Sequence, residues 1–399
     1  MKSPLVSSVA IGVLSMCLLM AGLSRIPVPT YDEPSYVGGA RAMLNRTGID
    51  LVHPQGTDLI HPPLAEYFIA AGMKVFGDNP VGWRVAGAAF GSLTLVAVYL
   101  WVWLLFRSQS AALTAAGLTL LNNFLFVMSR VAMLDVFYFA FVMFGVLAFT
   151  AAVLADVGVP KQRALMLVSG VMFGCGVACK WVAAPSLCAV ILMAAIFYVR
   201  GGWQRSTGIT IALSLVVAPV ATYVLAYLPL CYLRHGSLSS IAAMNAYIWK
   251  FHVACGGNAA LDVKWYRWFF RTSPERGLFY LVGNPAVVWV GLLALVACAW
   301  NFVRTHAFAE GAIVLMYAVN LLQWVAIPQK STCYYYYYPP AMFLGAAIAT
   351  VLHRKNSPRL LGVRWSLLLF LAAAVVFVYC YPRMASLQAP YDCAFGCWS

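Results

Sequence analysis

Residues 82–106 read GWRVAGAAFGSLTLVAVYLWVWLLF, and this stretch decides the fold. Its apolar residues run on without polar alternation. Its charge is confined to Arg84 near one end, with Arg107 just past the other. A run of ~20 such residues crosses the hydrocarbon of a bilayer as a helix, because a helix satisfies its own backbone groups there. Similar runs occupy 4–23, 111–128, 131–154, 164–179, 182–199, 209–230, 285–303, 311–327, 334–352 and 365–381. The chain is 63% hydrophobic and 10% charged, against about 25% charged in a soluble domain. Its mean hydropathy is +0.82. The expected class is therefore an all-α polytopic membrane protein with about eleven transmembrane helices.

The net charge of +14 does not call for nucleic acid. The bases gather in short loops, at Lys161 and Arg163, at Arg200 and Arg205, at Arg304, and at Arg354, Lys355, Arg359 and Arg364. Those loops are expected on the cytoplasmic side, with Lys2 and the N-terminus. A cleaved signal peptide is the other reading of 4–23. Both readings put the following loop on the outer side. One domain is expected over 1–399, with a first outer loop at 24–81, a second at 231–282 and no separate soluble module. Within the first loop, 64–76 has a helical period but is too short to span. It reads as an interfacial helix that ends at Gly77-Asp78-Asn79-Pro80. No Walker A motif, dinucleotide-binding glycine fingerprint or HExxH pattern occurs. This argues against an ATP-driven pump, a membrane dehydrogenase and a zinc protease.

The acids cluster. Asp32, Glu33, Asp50, Asp58, Glu66 and Asp78 all fall in the first outer loop, and Asp262 and Glu275 in the second. Acids set topology only weakly, so this clustering points to a site. Tyr31-Asp32-Glu33-Pro34 places two carboxylates side by side just past the first span. They are either a solvated or helix-capping pair or a general base for a hydroxyl. Arg84, Arg130, Lys180 and Lys330 stand at outer ends of spans. They either snorkel to headgroups or hold an anion such as a lipid-linked phosphate. Asp135, a tight turn away from Arg130, is read as its ion-pair partner. His53 and His61 with Asp32, Glu33 and Asp58 match no strong metal-ligand spacing, which leaves room for a divalent cation without requiring one. Tyr334 to Tyr338 is an interfacial belt or a wall for a sugar or prenyl chain. Cys393 and Cys397 in the outer tail are suited to a disulfide.

Read in order, these elements resemble the protein O-mannosyltransferases, membrane glycosyltransferases of the GT-C superfamily that use lipid-phosphate-linked sugars. The resemblance rests on Tyr31-Asp32-Glu33, His61-Pro62-Pro63-Leu64, Trp83-Arg84 with Gly87 and Gly91, and Ser129-Arg130 through Leu134-Asp135. It continues through Gly170, Gly174 and Gly176 to Cys179-Lys180-Trp181, then Trp265 to Trp268, Gly283-Asn284-Pro285 and Tyr337-Tyr338-Pro339. One departure is Glu66, where the family usually carries Lys. The resemblance implies a minimal, bacterial-type GT-C enzyme in the inner membrane with its site facing outward. Asp32 and Glu33 would be catalytic, with Asp32 the base on an acceptor Ser or Thr hydroxyl. Arg130, Lys180 and Arg84 would hold the phosphate of a polyprenyl-phosphate sugar, most simply mannose. His61, Asp135, Tyr337 and Tyr338 would shape the site. The expected partners are that donor, a secreted-protein acceptor and the bilayer. Transfer to lipid A or another envelope lipid is the alternative, and a lipid-linked solute transporter is the non-enzyme reading.

Overall fold

A computed structural model describes residues 4–45, 59–200, 207–233, 237–254, 264–271, 280–326, 332–353, 359–360 and 363–385. Asp50, His53, Asp58, Asp262, Glu275, Lys330, Cys393 and Cys397 lie outside the described residues.

The helices in chain order are α1 (Pro4–Met20), α2 (Glu33–Asn45), α3 (Leu64–Phe76), α4 (Pro80–Phe106), α5 (Gln109–Leu120), α6 (Asn123–Met128), α7 (Leu134–Leu154), α8 (Val159–Cys179) and α9 (Ala184–Val199). There follow α10 (Thr207–Ala212), α11 (Ala218–Leu233), α12 (Leu238–Ala254), α13 (Pro285–Thr305), α14 (Phe308–Ala326), α15 (Tyr338–Ala341), α16 (Leu344–Leu352) and α17 (Trp365–Met384). Before α17, β1 (Arg359–Leu360) pairs antiparallel with β2 (Val363–Arg364).

Among the described residues, nine helices are long and apolar enough to cross a membrane. The expected third and tenth spans are divided instead. The third breaks between α5 and α6, where the Asn122 side chain accepts the Phe124 N–H at 3.4 Å and starts a new helix. The tenth is a 3₁₀ turn, Tyr334–Tyr337, followed by α15 and α16, with Pro339 and Pro340 in the first turn of α15.

Local chemistry sets the other boundaries. α3 occupies the expected 64–76, with Glu66 in its first turn and Lys74 in its last, each complementing the helix dipole. Gly77 ends it at φ 89°, a conformation that side chains resist. Asn79 then accepts the N–H groups of Val81 and Gly82 at 3.0 and 3.2 Å and starts α4. Gly170 and Gly174, one turn apart on α8, lie against Ser214 and Pro219, where a Cβ would collide. Small residues let membrane helices approach this closely.

The helices form two compact units. One comprises Met1–Tyr31, Gly91–Arg130 and Gly256–Ser399, and the other Asp32–Phe90 and Val131–Cys255. We call them the aromatic unit and the acidic unit after what they bury.

Candidate active site

The acidic unit holds Asp32, Glu33, His61, Arg84, Asp135 and Lys180. α2 begins at Glu33, with Pro34 in its first turn, so the acid pair does open a helix. The Asp32 carbonyl accepts the Ser35 and Tyr36 N–H groups at 3.1 and 3.2 Å. The two carboxylates then diverge. Asp32 is half-buried and Glu33 fully buried. Glu33 accepts two bonds from Arg84, Nε to Oε1 at 2.8 Å and NH2 to Oε2 at 2.7 Å. It also accepts the Ala132 N–H at 2.6 Å. Both side chains of that ion pair are 0% exposed. A bidentate fork of this kind is a strong, directional link. Glu33 thus ties α2 to α4 and to the turn before α7, and Arg84 is enclosed with it. Both were expected at the reacting centre, and the structure places them in this enclosed pair.

Lys180 sits where α8 stops. Its backbone is extended, at φ −160°, and Pro185 starts the next helix. The break directs its ammonium to Asp135 Oδ2 at 2.9 Å. The expected Arg130–Asp135 pair is therefore replaced by Lys180–Asp135, and both partners are nearly inaccessible, at 5% and 1%. The charge of Asp32 is felt at Asp135, and that of Lys180 at His61 and His252.

His61 is buried, its ring 5.9 Å from that of Tyr36 and 4.7 Å from that of His252. Burial, then the positive charge of Lys180 and the neighbouring His252, push the His61 imidazole well below the usual range. His252 is lowered too, chiefly by burial. Its bond to the Ile60 carbonyl opposes this and Lys180 reinforces it. Both rings are thus held neutral near pH 7.

Arg130 belongs to the aromatic unit, as do Tyr337 and Tyr338. Arg130 is 2% exposed. Its guanidinium donates to the carbonyls of Leu19, Ala21 and Gly22 at 2.8, 2.6 and 3.3 Å and lies over Phe126. It satisfies the carbonyls at and just beyond the end of α1, a task different from the expected phosphate contact. Tyr337 and Tyr338 are wholly buried. Tyr337 packs against Phe124, Trp268 and Phe269, and its hydroxyl is 3.1 Å from that of Tyr317. Tyr334 starts the same 3₁₀ turn. That residue lines a cavity of about 400 Å³ together with Trp268, Phe269, Arg271, Val288 and Tyr379. The Arg271 guanidinium lies 5.0 Å from the centre of the Tyr334 ring.

Among the described residues no cluster of three His, Cys, Asp or Glu side chains is placed to hold a metal ion. Two neighbours of the acid pair escaped sequence reasoning. Tyr36, one turn after Asp32, directs its hydroxyl to Asp32 Oδ2 at 3.5 Å. The i, i+4 spacing was its signal. His252 had none, since its Ile60 contact spans 192 residues of chain.

Residues 60–226 match the family model "Dolichyl-phosphate-mannose-protein mannosyltransferase". Asp32 and Glu33 precede that segment. Beyond it, the polyprenol-phosphate-mannose–protein mannosyltransferase of Mycobacterium tuberculosis is 23% identical, over 84% of this chain and 77% of that protein. The protein of the same name from Mycolicibacterium smegmatis is 24% identical, over 95% and 88%. The one from Corynebacterium glutamicum is 26% identical, over 79% and 76%. The chain is thus similar to this family's model over residues 60–226 and to these proteins over most of its length. Solved structures share its fold. The S. cerevisiae protein O-mannosyltransferase complex, solved with its sugar donor, superposes with a TM-score of 0.79 at 12% identity, over 96% of this chain and 91% of that one. ArnT from Cupriavidus metallidurans, solved with undecaprenyl phosphate, superposes with a TM-score of 0.65 at 16% identity, over 96% and 66%. The fold is thus that of the GT-C membrane glycosyltransferases.

Proposed function

We propose that this protein is a membrane mannosyltransferase that moves mannose from a polyprenyl-phosphate carrier to a Ser or Thr hydroxyl of a protein, with inversion. The names of its relatives support the substrate classes. One observation carries the assignment of the base: of two adjacent acids, Glu33 is enclosed by Arg84 while Asp32 keeps access to solvent.

In this reading Asp32 accepts the proton of the acceptor hydroxyl. The hydroxyl oxygen bonds to the anomeric carbon, and the bond from that carbon to the carrier phosphate breaks. The phosphate leaves on the lipid as an anion. Lys180 steadies it, because one ammonium has three N–H donors and can hold Asp135 and a phosphate oxygen together. Asp135 orients Lys180 through their 2.9 Å contact. Glu33 and Arg84 fix the start of α2, and His61 shapes the pocket as a neutral ring. The site would face the outside of a bacterial inner membrane.

The test uses purified protein in proteoliposomes with radiolabelled mannosyl polyprenyl phosphate and a Ser/Thr-rich peptide. Label on the peptide, released by β-elimination, is the expected result. Label that moves only to a lipid, or crosses the bilayer without transfer, contradicts the proposal.

A further inference from the structure

We propose that His252 is a positioning residue for sugar transfer, acting through His61 to hold Asp32 in place. This rests on the function proposed above. His252 is on α12, in the second outer loop, and its Nε2–H donates to the Ile60 carbonyl at 3.0 Å. Its ring lies 4.7 Å from that of His61, tilted by 37°. The His61 ring is 5.9 Å from Tyr36, whose hydroxyl points to Asp32 Oδ2. Contacts therefore run from α12 through two imidazoles and a phenol to the carboxylate. α12 is anchored a second time at Asn245, which accepts from Tyr223 and from Tyr227. Met244 and Ile248 pack with Met43 and Leu59. His252 thus fastens one end of a helix whose other contacts are already made.

Among the described residues, the charged groups acting on the pair are Lys180 and Asp32, and Phe251 packs edge-on against His252. A proton on either ring would set a new cation beside Lys180 and its twin. Burial and Lys180 lower both imidazoles. The docking of α12 is therefore complete above the ordinary imidazole pKa of about 6.5 and weakens as pH falls below it.

The full chain in proteoliposomes serves for the test, as wild type, His252→Ala, His252→Gln and His252→Phe. His252→Ala should lower kcat by about tenfold or more with the donor KM unchanged. Gln, whose amide can still donate to Ile60, should recover part of that loss, and Phe, which keeps only the ring contact, less. In all three the acid limb of kcat should move to higher pH, because His61 loses a neighbour that depresses it. Hydrogen exchange over α12 is read on the same samples and should quicken in His252→Ala. Unchanged kcat, pH profile and exchange in His252→Ala would overturn the proposal. Exchange decides the docking role even if the wild type transfers no sugar, a result that would instead overturn the functional reading.

Discussion

The acidic unit and the aromatic unit bury different things. The acidic unit encloses ions: Glu33 with Arg84 and Asp135 with Lys180, each pair under 10% exposed. The aromatic unit encloses rings around a cavity of about 400 Å³ and satisfies its buried Arg130 and its amide side chains with backbone groups. Asn284, for example, donates to the Leu121 and Ala373 carbonyls at 2.9 Å and accepts from Ala286. Enclosed ions are expensive and do little for stability relative to apolar packing. Enclosed rings are cheap and general. The contrast is why the chemistry proposed above is placed in the acidic unit.

The first way to break this contrast is Glu33→Gln. It removes the carboxylate that Glu33 presents to the enclosed Arg84 and should destabilise the fold by about 3–5 kcal/mol, seen by denaturation in detergent. Next is Lys180→Met, which should lower kcat by about 10²–10³. Adding Asp135→Asn should recover the stability that the single change loses, but not the activity. That outcome separates a catalytic cation from a structural one. In the aromatic unit, Val288→Phe narrows the cavity. It should overpack that unit and destabilise the fold by about 1–3 kcal/mol, seen by the same denaturation. The smallest effect is expected at the exposed Arg41–Asp78 pair, with contacts of 2.5 and 2.8 Å and side chains 44% exposed. Arg41→Ala should cost about 0.2–1 kcal/mol. Arg41 holds the Asp78 carboxyl below its usual range. This contribution is therefore present above the ordinary carboxylate pKa and fades as pH falls through the lower folded value.

Short-range signals in the chain were legible. α3 occupies the expected 64–76 because its period is helical and Gly77 stops it, and Lys180 falls at the anticipated break between two apolar runs. The divided spans were not legible, since hydropathy averages over a single Asn122 or over Pro339-Pro340. Pairing was the least readable. Nearness in sequence favoured Arg130 for Asp135, yet the partner is Lys180, 45 residues away, and Glu33 finds Arg84 across 51. Burial separates the two acids of Asp32-Glu33, and adjacent residues carry no sign of it in their order.

A side-by-side assay of Asp32→Asn and Glu33→Gln tests the division of labour most directly. Single-turnover transfer from bound donor to peptide is measured and normalised to folded protein. Asp32→Asn should stay folded, bind donor and lose about 10²–10⁴ in rate, while folded Glu33→Gln keeps transfer within about tenfold of wild type, since Glu33 acts through position alone. Transfer at wild-type rate by Asp32→Asn, or none by folded Glu33→Gln, would contradict the account.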